Sequence, residues 1–199
     1  GMDASPASPA GLAGQYAGRV FVTAQEFAAL LGEEGVVAVD MQSAANYAQG
    51  HAPGAVNLQK NDIVVNAPVA DMLTSSGQLE AALGERGIGN DTLVLVYDSN
   101  GFFAGRLFWS LTVFGCAQNV KIVEGGLPAI VEAGVEMTTE VPAPEAREFK
   151  TGEKQGRYLA RRDDVLEMCN EPDGNHILLD VRTDEQVKDG VIPGSVHVN

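Results

Sequence analysis

The chain has 199 residues, 45% of them hydrophobic and 20% charged, a globular composition with room for one large domain or about one and a half ordinary ones. Its 27 acidic and 13 basic residues give a formal net charge of −14, which argues against nucleic acid and anionic membrane surfaces as partners, since both demand a basic footprint. No apolar run approaches the length of a transmembrane helix, and the N-terminus lacks a basic-then-apolar signal pattern, so a cytoplasmic location is the default.

Residues 1–17, small and proline-rich behind Gly1-Met2, read as a loose terminus. Val20–Val22 suits a short strand. Thr23-Ala24-Gln25-Glu26 is a capping box, opening a helix over Ala24–Leu31 with Phe27, Leu30 and Leu31 on one face and Gly32 at its end. Val36–Asp40 reads as a buried strand, followed by a short helix near Ser43–Ala48. Gly50-His51-Ala52-Pro53-Gly54 then turns the chain into Ala55–Leu58. With no nucleophile near it in sequence, His51 reads as a satisfied structural histidine more readily than as a catalytic one. Residues 59–91 give a polar stretch, a helix near Gln78–Leu83 and a turn over Gly87-Ile88-Gly89-Asn90.

The most informative stretch is Thr92–Gly126. Leu93–Val96 is a continuous apolar run of the kind that forms a parallel strand buried on both faces. A polar loop, Asp98-Ser99-Asn100-Gly101, leads into a helix ending near Gly115, then a strand over Val120–Val123 and a Gly125-Gly126 turn. Trp109, Phe108 and Leu111 at helical spacing predict core positions. A strand–loop–helix junction aims backbone N–H groups and a helix N-terminus into one cradle that favours anions. The first residue in that cradle is Asp98, whose own carboxylate tends to exclude an anionic substrate or a thiolate. Arg106, in the second turn of the helix, is placed to pair with Asp98 or Asp40 or to lie at the surface. A helix over Leu127–Ala133, closed by Gly134, completes a first domain spanning 18–138.

Residues 139–157, with alternating prolines at Pro142 and Pro144, read as an extended linker. The pattern then restarts over 158–199, with a helix over Asp164–Cys169, a strand over Ile177–Arg182, a short helix over Thr183–Lys188 and a Gly190–Gly194 turn. Asp40, Gly50, Pro53 and Gly54 recur as Asp180, Gly190, Pro193 and Gly194, each 140 residues on. Four matches at one offset signal an internal duplication.

Two stretches carry a resemblance. Strand–Tyr97-Asp98–loop–Gly101–Arg106–Phe114-Gly115, then strand–Gly125-Gly126-Leu127, resembles the rhodanese fold. Val36-Val37-Ala38-Val39-Asp40, with Gly50-His51-Ala52-Pro53-Gly54-Ala55-Val56-Asn57, resembles that family's Asp-x-Arg and Gly-His-x-Pro-Gly-Ala-x-Asn signatures, departing at Gln42, where the family commonly has Arg. The resemblance covers about residues 18–198. More narrowly, the chain is similar to the N-terminal half of tandem-domain thiosulfate and 3-mercaptopyruvate sulfurtransferases. It implies a three-layer α/β/α fold with a mostly parallel sheet, duplicated in tandem, the second copy incomplete. It also implies a non-catalytic first domain, since in an active domain a persulfide-bearing cysteine stands where Asp98 is. In the second copy the signature is complete as Asp180-Val181-Arg182, so Arg182 is the substrate-side candidate, with a surface pairing to Asp184 or Glu185 as the alternative. Asp40, His51 and Asp180 are implied as structural motif residues.

Such chemistry needs a cysteine of lowered pKa in a ring of loop amides. Cys116 lies at the far end of its helix, where the dipole disfavours a thiolate, and Cys169 has acidic neighbours. The two share no disulfide or zinc spacing. No catalytic residue is therefore expected within these residues. With neither a nucleotide fingerprint nor a metal-ligand cluster, no cofactor is expected, and the Cys-x5-Arg spacing of phosphatase relatives is missing. Two readings follow. In one, the chain is part of a sulfurtransferase, with a small anionic sulfur donor and a thiophilic acceptor as partners of the full-length protein. Its catalytic cysteine is then expected beyond Asn199, because the second copy stops before its own loop. The alternative is a catalytically inactive rhodanese-like binding or regulatory module.

Overall fold

A computed structural model describes residues 9–65, 72–100 and 102–156, and in the C-terminal part 166–167, 169–170, 178–180, 184–188, 190–191 and 193–197. The chain divides into a unit over Gly1–Gln155 and a second over Gly156–Asn199.

The first unit is built on a five-stranded parallel sheet in the order β1 (Phe21–Val22), β7 (Val120–Val123), β6 (Leu93–Tyr97), β2 (Val36–Asp40), β3 (Val56–Asn57). The central strand explains the two cores. Val94 and Val96 of β6 point into a cluster with Leu58, Ile63, Leu79, Leu83, Leu107 and Leu111. Leu93, Leu95 and Tyr97 point the other way, against Phe27, Leu30 and Ile130. This alternation is the two-residue period of a strand covered on both faces, which is why β6 reads as one unbroken apolar run. Helices α4 (Lys60–Ile63), α5 (Ser76–Gly84) and α6 (Phe102–Val113) cover the first face. Helices α2 (Ala24–Leu30) and α7 (Gly126–Glu132) cover the second. The result is the expected three-layer α/β/α arrangement.

Local signals account for the ends of these elements. Thr23 Oγ1 accepts from the Glu26 amide at 3.1 Å while the Glu26 carboxylate accepts from the Thr23 amide at 3.0 Å, closing the capping box that starts α2. Ser43 caps α3 (Ala44–Gln49) and Ser75 caps α5 in the same single-bond way.

Four expectations are corrected. The terminus is not loose throughout, because Pro9–Gln15 forms α1; proline is tolerated in a first helical turn, and Leu12 packs against the Phe27 cluster. The stretch after β3 is not simply polar: it holds α4 and a pair of two-residue antiparallel strands, β4 (Val64–Val65) and β5 (Met72–Leu73). Trp109 is not a core residue and remains 38% exposed, because Ala104, Leu107 and Leu111 define the buried face of α6 and Trp109 lies off it.

The fourth correction concerns residues 139–155. They are extended, but they form a strap held along the first unit instead of a free linker. Phe149 is only 7% exposed and joins the first core. The Arg147 amide donates to the Gly84 carbonyl at 2.9 Å, and the Gly152 amide to the Phe114 carbonyl at 2.8 Å. A Cβ on Gly84 would meet the Arg147 carbonyl oxygen at 2.5 Å, so the strap can lie this close only over a glycine.

In the second unit, β8 (Leu179–Asp180) pairs in parallel with β9 (Val196–His197), and α8 (Asp184–Val187) lies between them in sequence. The register Leu179↔Val196 and Asp180↔His197 repeats Val39↔Val56 and Asp40↔Asn57 with each number raised by 140. Positions 166–167 and 169, inside the expected helix, are helical, as is 170 just past it.

Candidate functional site

The parallel sheet places Asp40 at the carboxyl end of β2 and Asp98 just past the carboxyl end of β6, the edge where open α/β sheets gather ligands. Asp98 is 1% exposed. One carboxylate oxygen, Oδ2, accepts from the Phe103 amide at 2.6 Å and the Ala104 amide at 3.1 Å, and Oδ1 accepts from the Asn100 amide at 3.0 Å. The Phe103 and Ala104 amides are among the N–H groups that the start of a helix leaves without intrahelical partners, and the Asn100 amide belongs to the loop before it. An anion bound at the N-terminus of α6 would use these same donors. The side chain of Asp98 occupies them itself.

The loop is fixed from the other side as well. The Leu127 amide donates to the Asp98 carbonyl at 2.8 Å. Gly126, at φ +59°, sits so near that a Cβ there would meet the same oxygen at 2.5 Å. Ser99 and Asn100 are exposed at the rim of the loop, whereas Gly101 lies outside the described residues. Arg106 is half-buried on α6, and its carbonyl accepts from Ser110 Oγ at 2.9 Å.

Asp40 is fully buried, and its carboxylate is met by neutral donors. Oδ1 accepts from the Gln42 amide at 2.7 Å; Oδ2 accepts from Gln42 Nε2 at 2.8 Å and from the Tyr97 hydroxyl at 2.7 Å. That hydroxyl in turn accepts from the Ala52 amide at 2.9 Å. Burial first, and the Asp40 charge second, push the Tyr97 phenol well above its ordinary range, so it stays a donor. Gln42 also donates to the Gly50 carbonyl at 3.3 Å, and Asn57 Nδ2 donates to the carbonyls of Asp40 and Gln42, both at 3.0 Å. The neutral Gln42 amide thus ties Asp40 to the Gly50 turn. Tyr97 was not legible as a partner of Asp40, although one sign was present: a tyrosine ending an apolar strand needs somewhere to place its hydroxyl.

His51 is fully buried, stacked on Tyr47 at 3.7 Å. Its Nδ1 faces the Tyr47 carbonyl at 2.8 Å and its Nε2 the Glu140 carbonyl at 2.7 Å, so the ring pins the strap to the Gly50 turn. No nucleophile lies among those contacts. Cys116 is buried in the first core, with its thiol against the Leu111 carbonyl at 3.5 Å. Burial, which outweighs the other influences, pushes that thiol up to about 11. Cys169 is half-buried in the second unit. Asp180 is buried at the end of β8, and Arg182 lies outside the described residues. Among the described residues no group of His, Cys, Asp and Glu is arranged to hold a metal ion, and no helix is long and apolar enough to cross a membrane.

Residues 23–133 match the rhodanese-like domain. The chain belongs to the rhodanese-like family. Within the family, it is 37% identical to a thiosulfate sulfurtransferase of Pseudomonas aeruginosa over 60% of this chain and 44% of that enzyme. It is 30% identical to SseB of Mycobacterium tuberculosis over 92% of this chain and 72% of that protein. Among solved structures, SseA of Escherichia coli, described as a 3-mercaptopyruvate sulfotransferase, superposes with a TM-score of 0.77 at 25% identity, over 90% of this chain and 74% of that one. The chain spans about half the length of the first curated relatives it matches. Rhodanese-like relatives named for sulfur transfer are therefore similar to this chain, whereas its own central loop presents a carboxylate.

Proposed function

We propose that the first unit is the non-catalytic half of a tandem-domain sulfurtransferase and that the second unit, its repeat, begins the catalytic half. The observation that carries this reading is the Asp98 carboxylate seated on the amides of Asn100, Phe103 and Ala104. A rhodanese-type loop needs those donors for an anionic donor and its persulfide, and here they are already taken. The duplication is supported by the strand register repeated at an offset of 140.

In the whole protein, a cysteine thiolate carried by chain outside these residues would attack the sulfane sulfur of thiosulfate or the thiol sulfur of 3-mercaptopyruvate. The S–S or C–S bond breaks and sulfite or pyruvate leaves with its electron pair, pyruvate as the enolate that is then protonated. A thiophilic acceptor then takes the sulfur and returns the thiolate. In that reading Arg182 would meet the anionic donor.

The test is sulfur transfer from thiosulfate or 3-mercaptopyruvate to cyanide, run with the 199-residue chain and with the full-length product side by side. Turnover by the full-length protein alone is expected. Activity in the short chain would make Cys116 or Cys169 catalytic and overturn the reading. Silence from both would favour an inactive rhodanese-like binding module.

A further inference from the structure

At the opposite edge of the sheet from Asp98, beside the amino ends of β1, β6 and β7, lies a cavity of about 640 Å³. That size lies within the range of sites for small organic ligands. Its wall is largely apolar, with Ala13, Val20, Phe108 and Ala117. Three charged residues are among those lining it, and the side chains of two of them are already paired. The Arg19 guanidinium is bidentate to Glu26 at 2.8 and 2.7 Å, and Asp91 accepts from Arg147 at 2.8 Å.

Lys121 is different. It is 1% exposed, and its ammonium donates to the Arg19 carbonyl at 2.5 Å and the Gln118 carbonyl at 3.0 Å. An ammonium has three N–H donors, so one is left over, and no carboxylate among the described residues balances its charge. Burying a cation against neutral carbonyls alone is costly. Burial, and then the nearby Arg19 charge, accordingly lower the Lys121 pKa.

We propose that this cavity binds a small apolar carboxylate, its acid group on Lys121 Nζ and its hydrocarbon body against Val20, Phe108 and Ala117. A single spare donor and a single uncompensated charge match a monoanion, and the wall matches an alkyl or aryl chain. The site is remote from the Asp98 loop and does not depend on sulfur transfer.

The test is titration of the 199-residue chain with octanoate, followed by amide shifts in proton–nitrogen correlation spectra, with octanol in parallel. Saturable shifts at Gly14, Gly18, Gln118 and Asn119 are expected, with octanol binding at least about ten-fold more weakly, the scale of a lost charged hydrogen bond. Lys121→Met should weaken octanoate by a similar factor and leave octanol unchanged. Gly14→Leu, at a lining position where an added Cβ meets no atom within 4 Å, should block both ligands while leaving Lys121 in place. Equal binding of octanoate and octanol, unchanged octanoate binding in Lys121→Met, binding that survives Gly14→Leu, or no saturable shift in the parent chain would each overturn the proposal.

Discussion

Replacing Asp98 with alanine removes the acceptor for two amides in the first turn of α6 and one in the loop before it, at a position that is 1% exposed. Loss of a helix N-cap costs about 1 kcal/mol, and each buried N–H left without a partner adds about 1–3 kcal/mol before relaxation. Water entering the vacated space offsets part of this, so we expect a net loss of about 3 kcal/mol. For a unit of this size that corresponds to a fall in Tm of about 10 °C. Asp98→Asn should cost about 1 kcal/mol, because its single carbonyl oxygen can keep the Phe103 and Ala104 donors while its NH₂ group faces the Asn100 amide. The assay is thermal and urea unfolding followed by circular dichroism. A further consequence distinguishes an internal anion from an ordinary buried contact: the alanine variant should recover stability in sulfate, by about 1.4 kcal/mol at ten times Kd, and the parent should not. An alanine variant as stable as the parent, or equal sulfate stabilisation of both, would refute the argument.

Tyr97→Phe strands the Ala52 amide and removes one donor from Asp40, so it should cost about 2–3 kcal/mol by urea unfolding. Phe149→Ala should cost about 3 kcal/mol and open residues 139–155 to limited proteolysis, whereas a free linker would be cut equally in parent and variant. The Glu26 carboxyl is held at about 2 by Arg19 first and the Thr23 amide second. Its folded-state pKa lies below the ordinary value of 4.5, so its contribution is complete above that value and is lost as pH falls towards 2. Glu26→Gln should flatten the stability profile across that window. Cys116, pushed up to about 11, should resist a disulfide reagent at pH 8 in the folded protein and react once urea unfolds it.

The parts of this fold that were legible are those where one local rule dominates. Val36–Asp40 and Val120–Val123 were placed to the residue, because a strand covered on both faces leaves an apolar run with sharp polar ends. The α2 start was legible because Thr23 and Glu26 satisfy each other within one turn. The strap was misread because its anchor is a single Phe149 in a proline-rich stretch, and its partners Gly84 and Phe114 are distant in sequence. The turn at Gly87 and the helix end at Gly115 were readable, but that both of them, together with Gly84, receive the strap is visible only in space. The antiparallel pair Val64–Val65 with Met72–Leu73 was missed because two-residue strands carry no periodicity. At the site, the identity of Asp98 at the head of the loop was plain from sequence. The Asp40–Tyr97–Ala52 network was not, because it joins two strands and a turn that only the sheet brings together.

On the proposed reading, the loop of the first unit is closed to sulfur chemistry by its own carboxylate. Intact-mass and peptide mass spectrometry of the 199-residue chain after incubation with thiosulfate tests it most directly. No gain of a sulfur atom on Cys116 or Cys169 is expected. A persulfide on either cysteine, formed in the folded chain and discharged by cyanide, would contradict it.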